Sequence, residues 1–371
     1  MNILHLEAGL NWGGQEFRTL IETAWLIAHG HRAWVACSPE GQMARHAKEM
    51  GLPMLLLPMR QRYDVQSIWG IRNFCIKEKV DVLHCHGSKD AAICLPFHAA
   101  GWPVVRSRHL TVAGPPKIGK SLAYRFGSRK IVATSLSIKN GLVKFHRVPP
   151  EKIEVIGEGV DLSRFHPGED GWTFRKAFGI PEDAILFGAA GMFRTEKGHH
   201  VYVKAAAMVK RTHPHIFFVL VGGRAGSEGR TTEHLPVWLK EAFPQDMPSP
   251  VILTGYQKEM SPIMAALDVL IVPSRNEAQS RVVPEAFATG KPVIASRTGG
   301  LPELVRHGWN GLLVTPGHPE ELADAIRMMA DDTSLRCQYS QNALQFAREN
   351  LSIDAMMEKT LAVYSGVVKR R

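Results

Sequence analysis

Two glutamates eight positions apart, Glu277 and Glu285, carry the spacing that says most about chemistry in this chain of 371 residues. The apolar run at 269–272 reads as a strand, Glu277 follows it in a loop, and Glu285 falls directly after Pro284 in the first turn of a helix. Between them, the backbone amides of Ser280, Arg281 and Val282 lie at the helix start, where unpaired N–H groups and the helix dipole favour a phosphate. A carboxylate beside a phosphate repels it unless it faces hydroxyls, and an ionised Glu accepts two hydrogen bonds from a vicinal diol such as ribose or a hexose presents. The pair suits a nucleotide sugar. The competing reading is that Glu285 only complements the helix dipole.

Other chemistry-bearing groups are weaker signals. The segment His84-Cys85-His86 invites a metal, yet alternation along a strand leaves no converging third ligand, so no metal is expected there. Residues 114–121, GPPKIGKS, satisfy the P-loop pattern, but Pro115 and Pro116 lack the N–H groups that cradle a phosphate, and nucleotide hydrolysis is not expected. Residues 106–147 hold ten cations (Arg106, Arg108, Lys117, Lys120, Arg125, Arg129, Lys130, Lys139, Lys144 and Arg147) and no acid. That stretch reads as an anion-binding surface, with a solvated basic face as the alternative. Only Tyr124, Phe126 and Phe145 accompany the cations, too few aromatics for stacking on bases, so nucleic acid is not an expected partner.

These groups need elements to hold them. Short apolar, β-branched runs alternate with helical patterns throughout, as βαβ units in parallel sheets do. Strands are predicted at 3–6, 33–37, 54–57, 80–84, 104–107, 131–134 and 154–156, and the rhythm restarts at 185–190, 216–221, 251–254, 269–272, 292–295 and 311–314. The polar, glycine-containing segment 157–170 reads as a connection. The predicted fold class is α/β: two Rossmann-like, doubly wound parallel-sheet domains, 1–160 and 161–350, facing across a cleft, with a helical tail at 351–371 that could pack on either. Open parallel sheets bind ligands beyond the carboxyl ends of their strands, so function is sought in those loops.

Residues 269–314 resemble the donor-binding signature of the retaining glycosyltransferases of family four, which have the GT-B fold. The E-x7-E pair matches Glu277 and Glu285, TGGLPELV matches the family's G-G-x-P-E pattern, and Gly308 and Gly311 match its later glycines. NWGGQEF, DVLHCHG, GVDLSRFHP, GMFRTEKG and LVGG add matches in order along the chain. The resemblance implies that Gly13 and Gly14 form a tight loop where backbone approaches donor phosphate or acceptor, and that Glu16 stands near the acceptor. It implies that His109 contacts the donor sugar and that Lys197 neutralises the leaving diphosphate. Where the family has an arginine directly after the first glycine of GMFRTEKG, this chain has Met192, with Arg194 as the available substitute. Catalysis is therefore expected from His109, Arg194, Lys197 and Glu277, with donor contacts from Gly13, Gly14, Ser280 to Val282 and Glu285.

The resemblance implies transfer of a hexose-type sugar, with retention and without a metal or other cofactor, from a UDP-, GDP- or ADP-sugar. The acceptor is expected to be lipid-linked, lipopolysaccharide or another glycan, approached by Glu16, Lys117, Lys120, Arg125 and Arg129. Residues 1–160 carry 21 Lys/Arg against 12 Asp/Glu, a balance of +9 out of the chain's +10, so the first half is expected to meet an anionic membrane surface or acceptor. Five cysteines without a C-x-x-C pair argue against a disulfide framework, and neither a signal peptide nor a membrane-spanning run is apparent. A cytoplasmic protein, peripheral at the inner face of the membrane, is expected. A nucleotide-sugar epimerase and a silent sugar-binding module are the rivals.

Overall fold

Val269, Leu270, Ile271 and Val272 form an unbroken apolar run because both faces of the strand are covered: Val269 and Ile271 pack into one hydrophobic cluster, Leu270 and Val272 into another. That is the condition of a parallel sheet with helices on each side. The computed structural model describes residues 1–112, 118–223 and 251–368, which divide into two units. One comprises residues 1–158 and the C-terminal helix, the other residues 159–353.

The first unit runs β1 (Asn2–Glu7), α1 (Gly14–Ala28), β2 (Arg32–Cys37), α2 (Gln42–Glu49), β3 (Met54–Leu56), α3 (Val65–Glu78), β4 (Val82–Cys85), α4 (Ser88–Ala99), β5 (Val104–Arg108), α5 (Ile118–Phe126), β6 (Lys130–Ala133), α6 (Leu136–His146) and β7 (Ile153–Val155). Its seven strands lie in the order β3-β2-β1-β4-β5-β6-β7. The second unit runs α7 (Trp172–Ala177), β8 (Leu186–Ala190), α8 (His199–Lys210), β9 (Phe217–Val221), β10 (Val251–Gly255), α9 (Ser261–Ala266), β11 (Val269–Val272), α10 (Val282–Ala288), β12 (Val293–Ser296), α11 (Leu301–Leu304), β13 (Gly311–Val314), α12 (Pro319–Asp331) and α13 (Thr333–Asn350). Its six strands lie in the order β10-β9-β8-β11-β12-β13.

Every pairing in both sheets is parallel. Strand order reverses once in each, between β1 and β4 and between β8 and β11, and such switch points open a crevice at the carboxyl ends of the strands. The tail helix α14 (Ile353–Val367) belongs to the first unit. There Tyr364 reaches His84 at 2.6 Å, Asp354 accepts from the Trp25 indole at 2.6 Å, and the Val367 carbonyl accepts from Arg129 at 2.7 Å.

Candidate functional site

In the second unit three loops meet at the switch point. After β8 a single turn, Thr195–Lys197, leads into Gly198 at φ 67°, where a Cβ would collide with the Pro273 carbonyl. That close approach carries Lys197 to the loop after β11. The Lys197 ammonium donates to both oxygens of Glu277, at 2.8 and 3.1 Å, and the Ser274 hydroxyl donates to Glu277 Oε2 at 2.8 Å. The Arg275 and Asn276 amides donate to the Glu196 carbonyl at 2.8 and 3.3 Å, joining the two loops through backbone. From beyond β12, Gly299 sits at φ 55° with its missing Cβ facing the Glu277 carbonyl, and the Gly300 amide donates to that carbonyl at 3.2 Å. Glu277 is buried, whereas the Lys197 side chain keeps 29% of its surface. A cation is thus held at fixed geometry and still reachable by a ligand.

Glu285 is buried in the first turn of α10, and Arg281 lies 3.4 Å from its Oε1. With seven residues, α10 offers a modest dipole, so attraction for an anion rests more on Lys197 and Arg281 than the helix-start argument implies. His199, buried at the start of α8, donates from Nε2 to the Met192 carbonyl at 3.2 Å; burial lowers its pKa to about 4, which keeps the ring neutral.

The switch point of the first unit is built from histidines. His5 on β1 stands in register with His84 on β4, and His86 follows just beyond that strand. His5 Nδ1 and His86 Nε2 are 3.0 Å apart, and His86 Nδ1 is 3.3 Å from Nε2 of half-buried His109, at the end of β5. Glu22 of α1 closes the group, its Oε2 3.9 Å from His5 Nδ1 and 3.8 Å from His84 Nδ1. Burial, reinforced by neighbouring rings or Arg18, holds His84, His86 and His109 well below the ordinary histidine range, and burial alone brings His5 to about 3. The four rings are neutral. Gly13 precedes α1, with Gly14 as its first residue, and Glu16 folds back over the loop so that a Cβ on Gly9 or Gly13 would touch it at 3.1 and 3.3 Å. Buried Glu7 accepts from Gln15 at 2.7 Å and from the Gly9 amide at 3.2 Å, while Asp90 accepts from the Ala8 amide at 3.0 Å. Burial raises all three carboxyl pKa values, Glu7 most clearly because Asp90 and Glu16 add repulsion.

Comparison with known proteins now bears on these two sites. The pattern described as Glycosyltransferase Family 4 matches residues 12–164, and that described as Glycosyl transferases group 1 matches residues 170–346. A D-inositol 3-phosphate glycosyltransferase of Nocardioides is 31% identical over 308 residues, 76% of this chain and 67% of that protein. The chain belongs to the family-four glycosyltransferases. A second such protein, from Thermomonospora curvata, is 31% identical over 65% of this chain and 57% of its own length, so the match spans little more than half of that relative. Anabaena HepE, solved with UDP, superposes with a TM-score of 0.84 at 23% identity, covering 99% of this chain and 100% of its own. A Rickettsia africae glycosyltransferase gives 0.87 at 20% identity, with 100% and 99% covered. The fold of this glycosyltransferase is GT-B.

Within the glycosyltransferase the expected residues fall unevenly. Lys197 joins Glu277, and Arg281 joins Glu285, but Arg194 is exposed and lies 3.8 Å from Glu196. Among the histidines, His84 and His86 are buried and His109 is the accessible one. The argument against a converging third ligand beside His84 and His86 fails, because the neighbouring strand brings His5 and helix α1 brings Glu22. The basic surface is smaller than its sequence: Arg106 is buried against the Tyr124 ring, Arg129 is tied to the carbonyls of Val367 and Gly101, and Lys139 is tied to that of Ile153. Lys120 and Arg125 remain exposed on α5, and Lys117 lies outside the described residues. Ser274, His199, Glu7, Asp90, His5 and Glu22 were not singled out from sequence; of these only Ser274, three positions before Glu277, had a local signal.

Proposed function

We propose that this glycosyltransferase takes a hexose-type sugar from a nucleotide-sugar donor and transfers it, with retention, to a lipid-linked, lipopolysaccharide or other glycan acceptor. The observation that carries the reading is the Lys197–Glu277 pair at the switch point, a buried carboxylate holding an accessible cation. As the bond from the anomeric carbon to phosphate breaks, the departing diphosphate gathers charge, and a preorganised cation stabilises that charge more than it stabilises the intact donor. Lys197 and Arg281 supply it without a metal, Glu285 accepts from the sugar or ribose hydroxyls, and the role of His109 is the sugar contact that the resemblance implies. The acceptor oxygen bonds to the carbon on the face the phosphate leaves, and the phosphate takes its proton.

Anabaena HepE has been solved with UDP-glucose, which makes UDP-sugars the first donors to test. The loop at Gly13 and Gly14 carries carboxyl groups from Glu7 and Glu16, partners for hydroxyls, which supports an acceptor role there. For the membrane, α5 adds an observation: Ile118, Leu122 and Phe126, at i, i+4 and i+8, are 80%, 48% and 61% exposed with Arg125 flanking them, and Lys120 is exposed on the same helix. Among the described residues no helix is long and apolar enough to cross a membrane, so contact through this stripe would be peripheral at the inner leaflet.

The test is turnover of a panel of UDP-, GDP- and ADP-sugars with and without glycan and lipid-linked acceptors. Transfer from one donor, with the anomer retained by NMR and a rate unchanged by added magnesium or manganese, is the expected result. Interconversion of the sugar without transfer, or binding without turnover, overturns it.

A further inference from the structure

Four buried residues at the first switch point, His5, His84, His86 and Glu22, each bring one ligand atom within 4.8 Å of the others, and the short contacts among them run through His5 Nδ1, His84 Nδ1, His86 Nε2 and Glu22 Oε2. Glu22 is fully buried, and its Oε2 has no hydrogen-bond partner although it is aimed between His5 and His84. A buried carboxylate oxygen left unpaired is costly, and Arg18 pairs only with the other oxygen, Oε1, at 2.7 Å, so Oε2 is open to a cationic partner. From this geometry we propose that these four residues form a structural zinc site, one that goes beyond the proposed transfer reaction and does not depend on it.

Spacing discriminates between occupants. A tetrahedral zinc with bonds of roughly 2.0–2.1 Å separates its ligand atoms by about 3.3 Å, whereas a water with hydrogen bonds of about 2.8 Å separates its partners by about 4.6 Å. Three of the six separations are 3.0, 3.8 and 3.9 Å, nearer the first, and all six lie within 4.8 Å. Three imidazoles and one carboxylate are a borderline donor set that suits zinc, and four protein ligands leave no open position, so the role is structural. The outer contacts are those that metal ligands use: His84 Nε2 faces Ser107 Oγ at 2.8 Å, His86 Nδ1 faces His109 Nε2 at 3.3 Å, and Glu22 Oε1 accepts from Arg18 at 2.7 Å. Two contacts must yield: the Tyr364 hydroxyl, 2.6 Å from His84 Nδ1, gives way to the ion, and the 3.0 Å hydrogen bond between His5 Nδ1 and His86 Nε2 is lost when both nitrogens turn their lone pairs to it. Arg18 opposes the added charge, but Glu22 and Glu158 flank its guanidinium at 2.7 and 3.3 Å.

The site has a consequence for His109. A metal on His86 Nε2 leaves the His86 proton on Nδ1, which then donates to His109 Nε2 and places the His109 proton on Nδ1. That nitrogen is buried without a protein partner and becomes a fixed donor for a ligand oxygen.

The experiment uses the full chain without a histidine tag, stripped of metal under mild denaturation, refolded and titrated with zinc alone. The expected result is about one zinc per chain retained through gel filtration, a rise in Tm on zinc addition, and X-ray absorption showing three imidazoles and one oxygen at roughly 2.0 Å. Glu22→Gln and His86→Asn should each cut zinc affinity at least about tenfold, in line with loss of one ligand. Because either variant could misfold, circular dichroism accompanies both, and the wild-type stoichiometry stands independently. Folded wild-type protein that retains no zinc overturns the proposal, as does zinc held undiminished by both folded variants.

Discussion

Lys197 is paired with Glu277, and in the proposed reaction that pairing separates its effect on binding from its effect on rate. An intact nucleotide sugar competes with a carboxylate for the ammonium, while the departing diphosphate, more highly charged, competes better; the interaction is therefore realised mainly in the transition state. Lys197→Ala should lower turnover by about 100-fold or more, the usual cost of one preorganised donor, with calorimetric donor affinity nearly unchanged. A variant altered only in KM would move leaving-group stabilisation elsewhere. Arg194→Ala should cost far less, since Arg194 stands exposed beside Glu196. The role proposed for Glu285 is in binding instead: losing a charge-assisted hydroxyl contact costs about 1.5–3 kcal/mol, so Glu285→Gln should weaken donor affinity roughly 10- to 150-fold. An affinity within twofold of wild type would leave Glu285 with only its helix and Arg281 to serve.

At the scale of elements, the glycines do what no side chain could. Gly299 combines a left-handed backbone with a Cβ position already filled by the Glu277 carbonyl, whereas Gly317, at φ 83°, has open space around it. Gly317→Ala should thus carry only the conformational cost, about 1–2 kcal/mol, and Gly299→Ala that cost plus displacement of the Glu277 loop. Thermal unfolding and donor calorimetry on the two variants test this: equal losses of stability, or unimpaired donor binding in Gly299→Ala, would show that the loop does not depend on that contact. All thirteen strands of the described residues fall within a residue or two of their sequence expectations, because doubly covered parallel strands are unbroken apolar runs. The Glu277–Glu285 segment was legible for a similar reason, its residues being close in sequence. His5, Glu22 and His84 were not, since 79 positions separate the two histidines and only the pairing of β1 with β4 sets them side by side. The polar groups on β1 and α1 break no pattern that a sequence displays.

Across the whole chain the charge is lopsided, yet the structure assigns several of the cations in 106–147 to internal work, so the count of ten overstates the surface that meets an anion. What α5 adds is apolar: Ile118, Leu122 and Phe126 stand exposed in one stripe flanked by Arg125, with Lys120 exposed elsewhere on the helix. A bilayer interface offers such a stripe both hydrocarbon and phosphate, and the two contributions respond differently to salt. Each cation near an anionic leaflet contributes about 1 kcal/mol, and that share fades as the screening length falls from about 10 Å at 0.1 M salt to about 3 Å at 1 M. The apolar share persists. Vesicles containing anionic lipid should therefore cosediment with the protein strongly at low salt and weakly, but measurably, at high salt. Lys120→Glu with Arg125→Glu should remove the salt-sensitive part, and Leu122→Asp with Phe126→Asp the residue that survives at 1 M salt, while donor affinity stays unchanged because Lys197, Glu277 and Glu285 belong to the other unit. Cosedimentation indifferent to salt and to both pairs of substitutions would identify α5 as an ordinary solvated helix and leave the positive charge of the first unit to the acceptor alone.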